Sequence, residues 1–242
     1  VHDLREVEVE DLLGREPIQL DRSPIREALR DRVVLVTGAG GSIGSELSRQ
    51  IALLQPKKLI LLERSEYNLF HIERELKGKS STEVVATVTD ITDEAGCRQL
   101  FATHKPEFIY HAAAHKHVSL MEVSPREAVR NNVLGTWNIS RIARDFGAQS
   151  FVMISTDKAV RPLSIMGYSK RMAELAVQFV SRTTSQTKFI SVRFGNVLGS
   201  SGSVVEIFRQ QLKRNEPLTV TDSDASRFFM TCPEAVELVL HA

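Results

Sequence analysis

A hydroxyl, a carboxylate and an amine stand side by side at Thr156, Asp157 and Lys158, and a second amine follows at Lys170. A carboxyl group held protonated in a closed site can act as a general acid, and a lysine can act as a general base when burial and a nearby cation lower its pKa. We therefore expect Asp157 and Lys158 to transfer protons, with Lys170 as the nearby cation. The alternative is that Asp157 caps a turn and that Lys158 is solvated.

The helical position that faces the same way as Lys170 holds no proton-transfer group. On a helix the residue four positions earlier shares a face, and that residue is Met166. Tyr168 is only two positions earlier, so it is rotated by about 200° and is expected to pack or to lie at the rim. The Thr156 hydroxyl, polarised by Lys170 and bound water, is then the group expected to relay a proton from a substrate hydroxyl.

An alternation of apolar strands and amphipathic helices from residue 32 onward must position these side chains. Strands are predicted at RVVLVTG, KKLILLE, EVVATVTD, PEFIYHAAA, SFVMIST and KFISVRFGNV, and a long helix from Pro125 to Phe146. Strands that alternate with helices are parallel, which predicts an α/β fold with a doubly wound parallel sheet of the Rossmann type. Asp157 and Lys158 then follow strand five at the carboxyl edge, where such sheets bind ligands.

A glycine-rich loop, VLVTGAGGSIGSEL, joins the first strand to the first helix. Gly38 permits the tight turn, Gly41 lets the backbone approach a pyrophosphate, and Gly44 lets helix and strand pack closely. The N–H groups and the dipole at the helix amino terminus favour the anion. In this strand–loop–helix context the motif predicts a dinucleotide site; the alternative is a glycine-rich turn that binds nothing.

The ends of the next two strands predict which dinucleotide binds. Glu63 stands nineteen residues after Gly44, where a carboxylate accepts hydrogen bonds from both ribose hydroxyls of NAD and repels a 2′-phosphate. Arg64 beside it would instead receive that phosphate, so NADP is the alternative. Asp90 is placed to meet the adenine or to cap the next helix. The expected NAD contacts are Gly38, Gly41, Ser42, Ile43, Gly44, Glu63, Arg64, Asp90, Ile91, Ala112, Ala114 and Lys170.

The composition excludes other classes of function. The net charge of +1 over 242 residues provides no field for nucleic acid or for a membrane surface. The two cysteines make neither a metal site nor a disulfide framework and suit a reducing compartment. No apolar stretch reaches the roughly 18 residues of a spanning helix, and no signal peptide opens the chain.

Three segments are expected along the chain: a lead-in at 1–30, a dinucleotide-binding domain with the catalytic residues at 31–200, and part of a small carboxyl-terminal substrate-binding lobe at 201–242. In the lobe the pattern predicts a helix at 203–214, a short strand at PLTVT and a final helix. Because the first residue is Val1 and the last helical pattern stops in mid-run, we expect a piece of a longer protein.

Six motifs together carry a resemblance to a known family: TGAGGSIG, HAAAHKHVSLME, NNVLGT, STDKAV, MGYSK and RFGNVLGSSGSV. They resemble the extended short-chain dehydrogenase/reductases, and more narrowly the membrane-anchored nucleotide-sugar 4,6-dehydratases of bacterial polysaccharide and glycan synthesis. The likeness runs over nearly the whole chain. It implies UDP-N-acetylglucosamine as substrate, NAD as cofactor, a homo-oligomer, and a cytoplasmic catalytic domain anchored in the bacterial inner membrane through a region that precedes this chain.

The resemblance also implies a role for each site residue. Asp157 would protonate the sugar C6 oxygen, Lys158 would remove the C5 proton, and Thr156 with Lys170 would take the C4 hydroxyl proton, with Met166 in the position usually held by tyrosine. The expected substrate contacts are Lys116, His117, Asn132, Asn196 and Arg227. For two of them the residues leave alternatives open. His117 is as readily a packing or capping histidine, and Asn132, expected to brace the backbone near Lys170 through a water, could instead make a polar bond inside its helix.

Two rival functions remain open. A UDP-sugar 4-epimerase shares the fold and the cofactor, but it only moves a hydride out and back, which would leave Asp157 and Lys158 unexplained. A non-catalytic NAD-binding regulatory protein is the other rival, and Met166 is its best support. Loss of water from the product separates a dehydratase from an epimerase, and turnover excludes the regulatory protein.

Overall fold

The computed structural model describes residues 13, 15, 20–77, 82–200, 202–220, 222–224 and 226–242. The main strands are β1 Val33–Thr37, β2 Lys58–Glu63, β3 Glu83–Val88, β4 Phe108–His111, β5 Ser150–Thr156 and β6 Lys188–Phe194. Within the described residues they form one six-stranded parallel sheet in the order β3-β2-β1-β4-β5-β6. This order confirms the predicted doubly wound Rossmann fold, in which the strand order reverses between β1 and β4.

Helices cover both faces of this sheet. They are α1 Ser23–Leu29, α2 Ser42–Leu54, α3 Glu66–Lys77, α4 Glu94–His104, α5 Val118–Val123, α6 Pro125–Ala128, α7 Thr136–Asp145, α8 Ile165–Ser181, α9 Val204–Lys213 and α10 Cys232–Leu240. Successive residues of β1 point to opposite faces, so Val34 packs with α2, α3 and α10, and Leu35 packs with α4, α7 and α8. Burial on both faces explains why the strands are continuous apolar runs.

The helix predicted from Pro125 to Phe146 is continuous but changes its winding in the middle. A π-helical segment, Val129–Gly135, joins α6 to α7. Two consecutive side chains within it, Asn131 and Asn132, are buried. Gly135 is the last residue of the segment and packs against Ile91. A Cβ at this position would lie only 2.4 Å from Ile91 Cδ1.

The chain after β6 departs from the sequence prediction. Gly195 ends β6, and β7 Asn196–Val197 pairs in parallel with β8 Phe229–Met230 in a separate small sheet. The strand predicted at PLTVT is wrong for the described residues 217–220, and Thr221 lies outside them. Its Leu218 and Val220 are exposed, and alternating apolar residues without a partner strand do not form a sheet.

The two ends of the described chain pack against each other. α10 lies on α2 with Val236 and Val239 buried in the main core, and Arg22, just before α1, pairs with Glu237 of α10. Most of the predicted lead-in, 1–30, lies outside the described residues, and the segment boundaries at residues 30 and 200 stay predictions. Among the described residues, no helix is both long and apolar enough to cross a bilayer.

Candidate active site

A crevice runs along the carboxyl edge of the sheet, across the point where the strand order reverses. In the described part of the chain it comprises a small cavity of about 260 Å³ beside β2 and β3, and a large cavity of about 670 Å³ beside β4, β5 and β6. Five residues line both: Gly41, Asn68, Ala112, Ala114 and His115. The two cavities therefore form one elongated site at the place where doubly wound sheets bind ligands.

The glycine-rich loop stands at the junction of the two cavities. Gly38 has a φ of +65°, and a Cβ there would lie 2.7 Å from the backbone of Ala113. A Cβ at Gly44 would lie 1.9 Å from the Gly38 carbonyl oxygen, so only glycine permits this packing of α2 on β1. Gly41 is the N-cap of α2, and the first turn, Ser42 to Gly44, lines the large cavity. This is the geometry of an anion site at a helix amino terminus.

Glu63 holds the end of β2 beside the small cavity. It is 8% exposed, and its carboxylate accepts backbone hydrogen bonds from Gly40 at 3.2 Å and from Ser65 at 3.0 Å. These donors fix the carboxylate between the glycine loop and α3. A carboxylate fixed at this position suits the paired hydroxyls of a ribose.

Arg64 and Asp90 line the same small cavity. The Arg64 guanidinium lies 3.4 Å from His115 Nε2 and 4.0 Å from Asp90 Oδ2, and its side chain is half exposed. Burial raises the pKa of Asp90, but hydrogen bonds from Thr92 and the charge of Arg64 outweigh that effect and hold this pKa below its usual range. The helix cap considered for Asp90 belongs instead to Asp93, which accepts from the backbone of α4, so Asp90 is left to face the cavity with Ile91.

The chemistry-bearing residues after β5 form one hydrogen-bonded group. Thr156 Oγ1 donates to Asp157 Oδ1 at 2.9 Å and accepts from the backbone N–H of Lys158 at 3.3 Å. Lys158 Nζ donates to Asp157 Oδ1 and to Asn196 Oδ1, each at 3.0 Å. A short 3₁₀ turn, Asp157–Ala159, holds the three side chains together, with Thr156 as its N-cap. Thr156, Lys158 and Asn196 line the large cavity.

The protonation expected of Asp157 is corrected. Burial raises its pKa, but hydrogen bonds from Lys158 and Thr156 lower it by more, so the net pKa lies below the ordinary value. The side chain is 50% exposed, and Asp157 is not among the described residues that line the large cavity. The site holds a carboxylate paired with Lys158 and not a protonated acid, because the amine that follows Asp157 in the chain folds back onto it.

Lys170 is a buried lysine whose pKa is lowered. Burial lowers the pKa of Lys170 to about 8, with the Glu174 carboxylate acting in the opposite direction. Its Nζ donates to the Ile154 carbonyl at 2.8 Å. The Thr156 hydroxyl is hydrogen-bonded to Asp157, so Asp157 polarises it directly, in place of the expected Lys170.

Met166 and Tyr168 occupy the positions that helical geometry predicts. Met166 is 3% exposed, packs with Met121 and Ala128, and lines the large cavity together with Lys170. Tyr168 is 54% exposed and lines neither described cavity. The prediction that Tyr168 turns away from Lys170 is therefore confirmed. Met166 forms an apolar part of the cavity wall at the helical position that faces the same way as Lys170.

Asn132 positions the site without touching its contents. It is fully buried, accepts from the His115 N–H at 2.7 Å, and donates to the His115 carbonyl at 3.0 Å and to Ser169 Oγ at 2.9 Å. The substrate contact expected of Asn132 is thus corrected to a direct brace between the loop after β4 and α8. A side chain with no exposed surface cannot reach a ligand.

Of the remaining predicted substrate contacts, some line the large cavity and one does not. Lys116 and His117 line the large cavity, and burial lowers the pKa of Lys116, with Cys232 and Glu206 opposing it. His117 stands at the N-cap of α5, but among the described residues its side chain makes no capping hydrogen bond; its ring lies against Gly202. Arg227 lines neither described cavity and donates to the Ser226 carbonyl.

Sequence reasoning missed several lining residues. Asn131 reaches the small cavity from the π-helical segment, and Asn68 reaches both cavities from α3. Val118, Leu120 and Met121 of α5 supply an apolar wall to the large cavity. The paired asparagines of NNVLGT were visible in the sequence, but their burial at the site was not. Within the described ranges, no group of three or more His, Cys, Asp or Glu side chains is placed to hold a metal ion.

Comparison with known proteins gives one family and several relatives. The family model described as "Polysaccharide biosynthesis protein" matches residues 34–242. The capsular polysaccharide biosynthesis protein CapD of Staphylococcus aureus is 48% identical over 244 residues, which cover 100% of this chain and 41% of CapD. A UDP-glucose 4-epimerase of Rickettsia bellii is 33% identical over 88% of this chain and 62% of its own length. The chain thus spans about two fifths of CapD.

Solved structures agree with the fold. Pen from Bacillus thuringiensis has a TM-score of 0.83 and 35% identity, over 88% of this chain and 67% of Pen. A double mutant of DesIV, a dTDP-glucose 4,6-dehydratase from Streptomyces venezuelae solved with NAD bound, has a TM-score of 0.75 and 21% identity, over 86% of this chain and 70% of DesIV. At that identity the likeness to DesIV is one of fold.

Proposed function

Because the chain belongs to the polysaccharide biosynthesis protein family and is an extended short-chain dehydrogenase/reductase, we propose that it is the catalytic domain of a nucleotide-sugar 4,6-dehydratase. The substrate is UDP-N-acetylglucosamine, and the product is a UDP-4-keto-6-deoxy sugar for capsule, O-antigen or glycan synthesis. The observation that carries the proposal is the paired Asp157 and Lys158 at the end of β5. Hydride transfer from C4 needs a base only for the C4 hydroxyl proton, whereas elimination of water also needs an acid for the C6 oxygen and a base for the C5 proton.

The cofactor is NAD. The small cavity fits its adenosine, with Glu63 at the ribose and Asp90 and Ile91 at the adenine, and the start of α2 fits its pyrophosphate. The Lys170 end of the large cavity fits its nicotinamide. When bound there, NAD would supply the hydride acceptor for oxidation at sugar C4 and the hydride donor for reduction at C6.

The residues of the chain move the protons. The proton of the C4 hydroxyl passes through Thr156 Oγ1 to Asp157 Oδ1, since these two atoms are already hydrogen-bonded. Asp157, now protonated, gives that proton to the C6 oxygen, which leaves as water. Lys158, after its ammonium group has released one proton to solvent, removes the C5 proton and returns it to C5 as the hydride reaches C6. Over the cycle the C4 hydroxyl proton ends in the water, so a low resting pKa of Asp157 is compatible with its acting later as the acid.

Substrate binding uses the far side of the large cavity. Lys116 supplies a cation, His117 and Asn196 supply hydrogen-bonding groups, and Val118 with Met121 supplies apolar contact. We place the UDP-sugar there, with its C4 toward Thr156. From the resemblance and the greater length of CapD, we further propose that the full-length protein forms a homo-oligomer anchored in the bacterial inner membrane, with this domain in the cytoplasm.

Incubation with UDP-N-acetylglucosamine tests the proposal. Mass spectrometry should find a product lighter by one water, and proton NMR should find a new methyl signal at C6. Unchanged mass with inverted C4 would make the protein an epimerase, like its relative from Rickettsia bellii. Tightly bound dinucleotide without any turnover of the sugar would favour the regulatory protein.

The identity of the bound dinucleotide is a separate prediction. Cofactor extracted from the purified protein should be mainly NAD, because Glu63 is fixed beside the small cavity by two backbone donors while the Arg64 side chain is half exposed. Chromatography against standards distinguishes NAD from NADP. Finding mainly NADP would assign the 2′-phosphate to Arg64 and reverse the prediction.

A further inference from the structure

Glu174 of α8 is a buried carboxylate that the proposed reaction does not use. It is 6% exposed and lines neither described cavity. It accepts hydrogen bonds from Ser155 Oγ at 2.6 Å, from Arg193 Nε and Nη2 at 2.7 and 2.6 Å, and from Arg171 Nη1 at 3.0 Å. Burial raises the pKa of Glu174, but these donors outweigh burial and hold the pKa below its usual range, so the group is ionised.

Glu174 and Lys170 fasten α8 to consecutive residues of β5. They are one helical turn apart and therefore share a face of the helix. Lys170 Nζ donates to the Ile154 carbonyl at 2.8 Å, and Glu174 accepts from Ser155 Oγ at 2.6 Å. The next residue of β5 is Thr156. The position of its hydroxyl thus depends on both attachments.

Glu174 also provides the negative charge that acts on Lys170. Burial lowers the pKa of Lys170, and the charge of Glu174 opposes this effect. The other ionisable groups around Lys170 come from neighbouring elements: Arg171 on α8, His111 on β4, Arg193 on β6, and Asp157 and Lys158 after β5. Burial and Lys170 lower the pKa of His111 to about 3, so that imidazole is neutral. Arg193 is paired with Glu174, and Asp157 is paired with Lys158.

We propose that Glu174 is a positioning residue for the hydride-transfer step, which fixes Thr156 through Ser155 and keeps Lys170 in the ammonium form. The kinetic part of this inference rests on the proposed dehydratase function, whereas the protonation part does not. An anion favours the charged form of a nearby lysine, so removing the anion lowers the pKa of that lysine. If the reaction needs the ammonium form, activity is lost as pH rises through this pKa, and the loss moves to lower pH when Glu174 is neutralised.

Titration of Lys170 by NMR tests the protonation part without substrate. In protein labelled with ¹³C at lysine Cε, the Lys170 signal is assigned by its loss in Lys170→Met and followed against pH; the wild-type midpoint is expected at about 8. Glu174→Gln should lower that midpoint by about one unit or more. Glu237→Gln is the matched control, because Glu237 is also a buried helical glutamate paired with an arginine, at α10. It should leave the Lys170 midpoint unchanged.

Kinetics test the positioning part. Ser155→Ala keeps the charge of Glu174 but removes its link to β5, so single-turnover hydride transfer should slow by about 10-fold with the Lys170 midpoint unchanged. In Glu174→Gln the alkaline loss of kcat should move to lower pH together with the NMR midpoint. Glu174→Asp, which keeps the charge, should restore the midpoint and serves if the glutamine variant does not fold.

Two results would overturn the inference. A folded Glu174→Gln protein with an unchanged Lys170 midpoint would leave Glu174 as a purely structural ion-pair partner. Unchanged hydride transfer in Ser155→Ala would remove the positioning of Thr156. If the protein fails to dehydrate any sugar nucleotide, the NMR titration still decides the protonation part, so this failure is distinct from failure of the proposed function.

Discussion

Asp157→Asn is expected to lower the rate of water elimination by about 10²–10⁴-fold while leaving cofactor content and substrate affinity near wild type. The amide keeps the shape of the carboxylate, and it can still accept hydrogen bonds from Thr156 and Lys158. It cannot take up the C4 proton or deliver it to the C6 oxygen. Turnover is measured by product mass, and affinity by titration of the sugar nucleotide.

Asp93→Asn provides the control for this substitution. Asp93 is also an aspartate at the start of a helix, where it accepts from the backbone N–H of Gly96 at 3.1 Å, but it lines neither described cavity. Its replacement should leave turnover unchanged. An Asp157→Asn protein within a few-fold of wild type would remove Asp157 from the mechanism and leave it as an ion-pair partner of Lys158.

Thr156→Val should suppress hydride transfer from C4 by about 10²-fold or more, and Tyr168→Phe should be nearly silent. Valine keeps the volume of threonine but deletes the hydroxyl that contacts Asp157. Phenylalanine removes only the phenol oxygen of a side chain that is 54% exposed. The measurement is single-turnover reduction of the bound nicotinamide, with substrate deuterated at C4 to confirm that this step is being followed.

Thr156→Ser separates chemistry from structure in this experiment. The Thr156 hydroxyl also caps the 3₁₀ turn, and loss of a cap costs about 0.5–2 kcal/mol. Serine keeps both the cap and the proton path, so it should restore hydride transfer, while the melting temperature reports any loss of stability. A severe loss in Tyr168→Phe with Thr156→Val unaffected would instead mean that Tyr168 reaches the sugar.

The sheet and the dinucleotide half of the site could be predicted because their signals are local. The apolar run of β1 ends at a glycine, and the pattern SIGSELSRQIALL predicts a helix with the observed bounds, Ser42–Leu54. Gly44 is required by its contact with Gly38 within a single β–loop–α unit, and Gly38 is required by its own φ of +65° in the turn. Such contacts depend on residues close in sequence, so spacing alone identifies them.

In the catalytic half of the site, the sequence predicted which residues are present but not the protonation state of Asp157. The motif located Thr156, Asp157 and Lys158, but the low pKa of Asp157 follows from the direction in which the Lys158 side chain folds, and no spacing encodes that direction. The burial of Asn132 depends equally on the packing of α8 against the loop after β4. The strand predicted at PLTVT failed for the same reason, since pairing requires a neighbour that lies far away in sequence.

The π-helical segment Val129–Gly135 sets the register of the helix that runs from α6 to α7. Asn131 lines the small cavity, and the adjacent Asn132 holds the loop that borders the large one. Two adjacent residues therefore act on different parts of the crevice. Their positions along the crevice depend on the wider turn of the π-helical segment. A deletion of one residue there would shift the two asparagines relative to the crevice, although this stretch of chain carries no catalytic group.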